Sequence, residues 1–572
     1  MSPAQLLEHF DRISEAPDAV ARLRRFILDL AVRGKLVEQD PNDEPAAELL
    51  KRIRSEKARC EKKPKELAPV TVDEAPFDVP AGWEWVRIRQ ITTDRGQTVP
   101  KGDFTYIDVT AINKERGCIG EPTVLSATDA PSRARKVVKK GDVIYSCVRP
   151  YLLNMAIVDT EISPPPIAST AFAVMNGFGL TLPQYLWTAL RSPFMVESVE
   201  ERMRGQAYPA INDSDFSLLP ISLPPLAEQH RIVAKVDELM TLCDQLEAAK
   251  NEREARRDRL VAASLHRIGT APTAADVAAT EAQSATPLRD AARFHLDHLP
   301  RLTTHPEHIK QLRQTILNLA VRGCLVPQDS DEEPAAELLK WIQTEKARLV
   351  KEGLIPRSKA TAGAPILTFE LPPNWQAMRF DDVCNLVTSG SRGWAEYYAD
   401  SGAKFVRAQN IRFGRLRLDD LACVNPPANG EGKRTHVTEG DLLIVITGAG
   451  VTNPALMDRD LGEAYVSQHV ALIKPSSTAM SRWLLLCLMS GPGGRDELVE
   501  RAYGAGKPGL NLDNIRSLNA PLPPLAEQHR IVAKVDELMA LCDQLEAQLA
   551  ATQNDSRRLL EAVLHEALAA AA

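Results

Sequence analysis

Hydrophobic positions recur every seven residues along two stretches of this chain. In the first, Ile232, Leu239, Leu246 and Leu260 fall on one series, with Arg253 as a polar break. In the second the series is Ile531, Leu538, Leu545 and Leu559, with Thr552 at the same break. An apolar seam of that period predicts helices that pair side by side. The two series match because the sequence is doubled: PPLAEQHRIVAKVDELMTLCDQLEA at Pro224–Ala248 returns at Pro523–Ala547 with one change, Thr241 to Ala540. Prolines at each entrance suit a first helical turn, whose N–H groups have no partner. So close a duplication predicts two copies packed on each other about a pseudo-two-fold axis, hence antiparallel. The plainer alternative is a helix laid on a globular core.

The same duplication governs the rest of the chain. Leu23, Ile27, Leu30 and Ala31 have helix spacing and Gly34 a C-cap position; Leu23–Val37 matches Leu312–Val326. EPAAELLK follows in both places, at Glu44 and at Glu333, and Pro45 opens that helix. Charged, Pro-rich linkers come next, Lys62–Pro80 and Lys351–Pro373. Strand-like runs then appear at Trp83–Ile88, Thr105–Val109, Val143–Val148 and Ile167–Val174, and again at Phe405–Ala408, Leu442–Thr447 and Tyr465–Ile473. These two regions share only a skeleton: Ile112 with Ile411, Gly141-Asp142 with Gly440-Asp441, Gly205 with Gly504 and Asn212 with Asn511, all 299 residues apart, and Trp83 with Trp375. An Ala/Thr-rich linker, Thr270–Pro287, separates the halves. The expected segments are a helical block and linker (1–76), an α/β (α+β) domain (77–222), a long helix, linker and second helical block (223–368), a second α/β domain (369–521) and a closing long helix (522–572). The first helical block should meet the closing helix, rebuilding at the chain ends what residues 223–350 make in the middle.

Composition narrows the class. At 572 residues several domains are expected, and 25% charged with 44% hydrophobic residues is ordinary for a soluble protein. The longest apolar run, Trp483–Met489, is far short of a membrane span, and no signal peptide is visible. Nine cysteines without a C-x-x-C pair point to reduced thiols in a cytoplasm rather than a disulfide or zinc framework; Cys243 and Cys542, at equivalent helix positions, read as small core residues. A net charge of −7 gives no general attraction to nucleic acid, so any such function rests on local patches.

Such patches exist. Arg133, Arg135, Lys136, Lys139 and Lys140 form a basic run, Arg149-Pro150-Tyr151 follows the next strand, and Arg204 and Gln206 lie in RGQAYPAIN. In the second region Arg407, Gln409, Asn410, Arg412, Arg415 and Arg417 lie close together, followed by Lys433-Arg434 and, in GAGKPGLN, Lys507. Arg, Gln and Asn make bidentate contacts to guanine and adenine edges, whereas Lys mostly meets phosphate. Solvated charge is the competing explanation, since residues 77–222 hold 15 basic and 16 acidic side chains. Catalytic motifs fare worse. Asn425-Pro426-Pro427-Ala428 lacks the aromatic that would stack on a target adenine, and Gly506-Lys507 is followed by Pro508 where a phosphate loop needs Ser or Thr. His230 and His529 have no nearby ligand partners in sequence.

Two divergent domains, each closed by an LPPLAEQHRIVAKVDEL helix and preceded by RGQAYPAIN or GAGKPGLN, resemble the specificity subunit of type I restriction-modification systems. The resemblance implies that each target recognition domain reads one half of a split double-stranded DNA sequence. It implies long helices that act as a ruler and as docking sites for two methyltransferase subunits, joined by two restriction (translocase and nuclease) subunits. It further implies no catalytic activity or bound cofactor in this chain; S-adenosylmethionine, ATP and Mg²⁺ would belong to the partner subunits, and no membrane is involved. An assembly scaffold that binds a two-copy protein partner is the rival reading, and a standalone DNA methyltransferase a third. As a ruler, a helix over Glu228–His266 would span about 58 Å at 1.5 Å per residue.

Overall fold

The repeated Glu-Gln of each long helix is a buried joint. The computed structural model describes residues 16–60, 67–114, 116–205, 208–270, 286–357, 363–390, 392–426, 432–503 and 508–570. The long helices span Leu226–Thr270 and Leu525–Ala570. In the first turn of one, Glu228 Oε2 accepts from Trp83 Nε1 at 2.8 Å and Oε1 from Gln39 Nε2 at 2.6 Å. Gln229 donates to the Pro224 carbonyl at 3.0 Å, tying the helix to its own entrance. The other copy repeats all three bonds: Trp375 and Gln328 donate to Glu527 at 2.9 and 2.6 Å, and Gln528 to Pro523 at 2.9 Å. Burial pushes both glutamate pKa values up, against the pull of the Trp and Gln donors. The tryptophans precede strands Glu84–Arg87 and Gln376–Arg379, which pair antiparallel with Pro220–Leu223 and Asn519–Leu522 just before each helix. The doubled motif therefore fastens each sheet region to its helix.

The chain forms two compact units, Met1–Glu252 with Thr552–Ala572, and Arg253–Ala551. Each long helix thus gives its first half to one unit and its second half to the other. In the first unit, helices Ala19–Val32 and Ala46–Cys60 pack on the first half of the helix from Leu226 through Ile27, Leu28, Ala31, Leu49 and Ile53. Arg24 bridges Asp244 and Glu247, as Arg313 bridges Asp543 and Glu546 in the second unit. Gly34 ends its helix at φ 70°, with the Lys35 N–H returning to the Leu30 carbonyl, and a Cβ there would strike Pro80.

The closing helix meets the N-terminal block, as expected. Leu560 and Val563 bury against Ala16 and Ala19, Arg22 lies 3.7 Å from Glu561, and Arg557 lies 3.9 Å from Asp18. The equivalent joint of the second unit has different chemistry. Val261, Leu265 and Ile268 pack on Ala291, Leu302 and Leu319 from the helices Thr286–Asp297, Leu299–Leu302 and Pro306–Val321. Beside them His305 bonds Glu254 and His308 bonds Asp258, both at 2.8 Å, and the buried His295 Nδ1 lies 2.8 Å from Ser264 Oγ.

The seven-residue seam needs one correction. Ile232, Leu239 and Leu246 join the first unit's core, and Ile531, Leu538 and Leu545 the second's, alongside the buried Cys243 and Cys542. Leu260, however, is 46% exposed. The inward face passes instead through Lys250, Glu254, Arg257, Val261, Ser264 and Ile268. From Ile232 to Ile268 that is ten turns of 3.6 residues, the period of a straight helix, whereas a strict seven-residue repeat drifts off by about 20° per heptad. The second copy slips identically: Leu559 is only partly buried, and Ser556, Leu560 and Val563 take the inward positions.

The sheet regions mix parallel and antiparallel pairs. In the first unit the strands run in the order 172–175, 143–146, 155–157, 118–119 and 112–113, with a second sheet of 123–125, 104–107, 166–169 and 134–137. In the second, 384–389, 470–475, 442–445 and 454–456 form one sheet and 398–399, 422–424, 403–406 and 464–466 another. Two apolar runs expected as single strands are broken. Ile167–Val174 turns at Thr170-Ala171, and Tyr465–Ile473 turns at Ser467–His469, so that each run serves both sheets. Continuous hydrophobicity hid a turn whose flanks are both buried.

Candidate nucleic-acid interface

The shared skeleton turns out to be fold machinery. Asp142 and Asp441, both buried, accept the backbone N–H three residues earlier, from Lys139 and Thr438, at 2.8 Å each. Asn212 and Asn511 cap the short helices that follow, accepting from Asp215 and Asn514 at 2.8 and 2.7 Å. What differs between the regions stands on the loops that these devices hold.

In the first region four segments are bonded together. Thr170 N–H donates to the Arg133 carbonyl and Cys147 N–H to the Ala171 carbonyl, both at 2.8 Å. Arg149 N–H donates to Pro209 at 2.8 Å, Ile211 N–H to Cys147 at 3.0 Å, and Arg204 and Ala210 exchange backbone bonds. Arg149 and Leu153, which frame the turn Pro150–Leu152, sit at φ 48° and 52°. Left-handed backbone at non-glycine residues stores of order 1 kcal/mol each and is concentrated at functional sites. The Arg149 guanidinium stands 4.8 Å from the Tyr208 ring centroid, and Tyr208 is 70% exposed. Tyr151 and Arg204 are exposed beside them, Arg204 lying 3.6 Å from Asp215. Arg133, Lys139 and Lys140 are exposed, whereas Arg135 is half-buried and donates to the Ala134 carbonyl. An arginine stacked on tyrosine offers both a bidentate donor and a flat apolar face.

Lys136 does not belong to this surface. It is 4% exposed and bonds Asp94 at 2.6 Å and Asp213 at 2.7 Å. Burial pulls its pKa down, but those two carboxylates more than offset it and hold it above the ordinary lysine value. Gln206 and Lys507 lie outside the described residues, as do Pro427 and Ala428 of the asparagine-proline run.

In the second region the candidates separate into two groups. Asn410, 1% exposed, accepts from Arg407 N–H and donates to the Arg417 and Asp420 carbonyls, so it is a loop staple rather than a base reader. Arg407 and Gln409 are turned onto Asp420, at 3.0 Å to its carbonyl and 3.2 Å to its carboxylate, and Arg417 is held by Asp419 at 2.9 Å. Arg412 and Arg415 instead face each other across the hairpin Ile411–Leu416, both exposed. Like charges opposite one another are unfavourable in isolation, which suits a hairpin that meets an anion. Lys433 and Arg434 are exposed on a short turn, with Arg434 at the position equivalent to Arg135.

A family model for the type I restriction modification DNA specificity domain matches residues 82–253 and 372–552. The chain belongs to that family. It is 32% identical over 577 residues to the EcoAI type I restriction enzyme specificity subunit of Escherichia coli, covering 96% of this chain and 94% of the relative. The EcoEI specificity subunit, also from Escherichia coli, is 31% identical with the same coverage. Among solved structures, an HsdS subunit from Thermoanaerobacter tengcongensis covers 87% of this chain and 99% of its own at 24% identity and TM-score 0.42. A chain solved in work on complex assembly of the type I R-M system covers 86% and 99% at 24% identity and TM-score 0.49. As a type I specificity subunit the chain recognises DNA targets within a restriction-modification complex and is not itself an enzyme.

The specificity subunit carries two basic residues that sequence reasoning passed over. The hairpin Ile112–Ile119 corresponds to Ile411–Leu416, and its tip presents exposed Lys114 and Arg116. Trp187 lies over Gly117 at the end of that tip, where a Cβ would collide with the indole. The signal was available, because Ile112 and Ile411 already aligned and a basic pair follows each. Among the described residues no group of three or more His, Cys, Asp or Glu is placed to hold a metal, and no helix is long and apolar enough to cross a membrane.

Proposed function

We propose that residues 77–222 and 369–521 are target recognition domains that each read one half of a bipartite double-stranded DNA sequence. In the first, the readers are Arg149, Tyr151, Arg204 and Tyr208, with Arg133, Lys114 and Arg116 on the flanks. In the second they are the Arg412–Arg415 hairpin and Lys433-Arg434. One observation carries the reading: buried joints are duplicated bond for bond, while the exposed loops at equivalent positions differ. A protein that must hold two different readers in one frame needs that pattern. The duplicated helical blocks, 16–60 with 226–252 and 306–351 with 525–551, offer equivalent surfaces to two methyltransferase subunits. Two restriction subunits complete the complex, and S-adenosylmethionine, ATP and Mg²⁺ are theirs. The complex works in the cytoplasm, where the DNA is.

Exchange of residues 369–521 for the corresponding segment of a relative tests this. Mapping of methylated bases should show one half of the recognised sequence changed and the other kept. A change in both halves, or in neither, overturns the assignment.

A further inference from the structure

The two recognition regions differ at one pair of matched loops. In the first, Val148 bridges to Ala210 and the next residue is Arg149; in the second, Thr447 bridges to Gly509 at the same two positions and the next residue is Gly448. Gly448 has φ 90°, and a Cβ built on it would meet nothing within 4 Å. The long side chain of the first region is thus replaced by bare backbone with open space in front of it. A base edge or phosphate can come close there without meeting a side chain.

The polar groups at that edge come from the turn between strands Ala464–Val466 and Val470–Pro475. The Ile446 N–H donates to the His469 carbonyl at 2.9 Å, which locks this turn against the glycine loop. His469 Nδ1 lies 2.6 Å from Thr447 Oγ1, and its Nε2 lies 3.3 Å from Gln468 Nε2. With the proton on Nδ1 the imidazole donates to Thr447 and accepts from the Gln468 amide. Gln468 then keeps one N–H and its Oε1, side by side and exposed. One donor beside one acceptor is the pattern that pairs with adenine N7 and N6 in the major groove. A free glutamine must give up rotamer freedom on binding; one tethered to His469 has already lost part of it.

We propose that Gln468 is a base-reading residue of the second recognition domain, specific for adenine, and that His469 is its positioning residue. The proposal rests on the DNA-reading role assigned above to residues 369–521. It is tested on the chain assembled with its methyltransferase subunits, with methylation rates measured on duplexes carrying every single-base change in the target. Gln468→Ala should lower discrimination at one A·T pair by roughly 5- to 150-fold and leave the other positions unchanged. Gln468→Glu, which removes the donor, should move the preference at that pair toward cytosine, whose N4 a carboxylate accepts. His469→Ala should weaken the same pair, add nothing to Gln468→Ala in the double variant, and be rescued by His469→Gln. Full discrimination at every pair in Gln468→Ala, or an equal loss at all of them, overturns the proposal. If domain exchange moves one half-site while Gln468→Ala moves none, this inference falls and the two-domain reading stands. If exchange moves neither half-site, both fall.

Discussion

Replacing Glu228 by Ala should loosen one recognition domain from its helix and leave the other untouched. The carboxylate receives two donors, but they are not equal. Trp83 is buried, so its indole N–H would be orphaned, at a cost of about 1–3 kcal/mol for an unsatisfied buried donor. Gln39 is exposed and returns to water, so its bond contributes little. The net loss is therefore about 1–3 kcal/mol, or roughly 5- to 150-fold in a local opening equilibrium. Amide hydrogen exchange reads this directly. Protection should fall by that factor in Glu84–Arg87 and Pro220–Leu223 and stay constant in Gln376–Arg379 and Asn519–Leu522; Glu527→Ala should do the reverse. The deficit should also depend on pH. Glu228 has a folded pKa above its ordinary 4.5, so the native state binds the proton first. Its contribution to stability is fully present below 4.5 and is lost as pH rises through the folded value. The gap between wild type and Glu228→Ala should accordingly widen as pH falls toward 4.5. Equal loss of protection in both strand pairs, or none in either, would refute the latch.

Three further outcomes follow from the same contacts. Lys136→Met should destabilise the first unit by about 1 kcal/mol, because Asp94 and Asp213 lose their shared cation but, being nearly half exposed, return to water, while the DNA sequence recognised stays the same; thermal melting and methylation mapping check the two halves of that statement. The double variant Arg412→Ala, Arg415→Ala should weaken DNA binding and, where these arginines meet phosphate, reduce the slope of log affinity against log salt by about 1.8, near 0.9 for each lost contact; an unchanged slope and affinity would move the interface off this hairpin. Burial, helped by the nearby His308, holds the His295 pKa below its ordinary 6.5. The unfolded chain therefore takes up that proton first, and stability of the second unit's joint should decline as pH drops from about 6.5 to the folded value; His295→Gln should flatten that decline in hydrogen exchange of Val261–Ile268.

Much of this architecture was legible because the chain states it twice. Duplication exposed the long helices, the Gly34 cap and the Trp83–Trp375 equivalence, although the bond from tryptophan to glutamate spans 145 residues and no local pattern reveals it. Lys136 misled because its two carboxylates lie 42 and 77 residues away, so the sequence shows only a run of like charge. Asn410 misled because capping a turn and reading a base call for the same amide. Leu260 was misplaced by counting sevens along a helix that follows 3.6. Lys114 and Arg116 were overlooked because two charges on a hairpin tip make no cluster in sequence, and Tyr208 because an aromatic becomes a reader only once Arg149 rests on it.

The two unlike tail joints bear on the order in which the molecule can be made. Residues 16–32 are synthesised long before the segment that covers them, 552–570. Between residue 32 and residue 552 lie 519 residues, so at about 5–20 residues per second the ribosome leaves that surface waiting for roughly 26–104 s. During this interval the segment at the equivalent place in the first long helix, residues 253–270, has already been made. It is a poor substitute: at the place where Arg557 approaches Asp18 it would bring Asp258, and Ser264 where Val563 buries against alanine. The unlike tails thus give each joint its own complement: the early surface matches the late segment, while residues 253–270 match the helices that carry His295, His305 and His308.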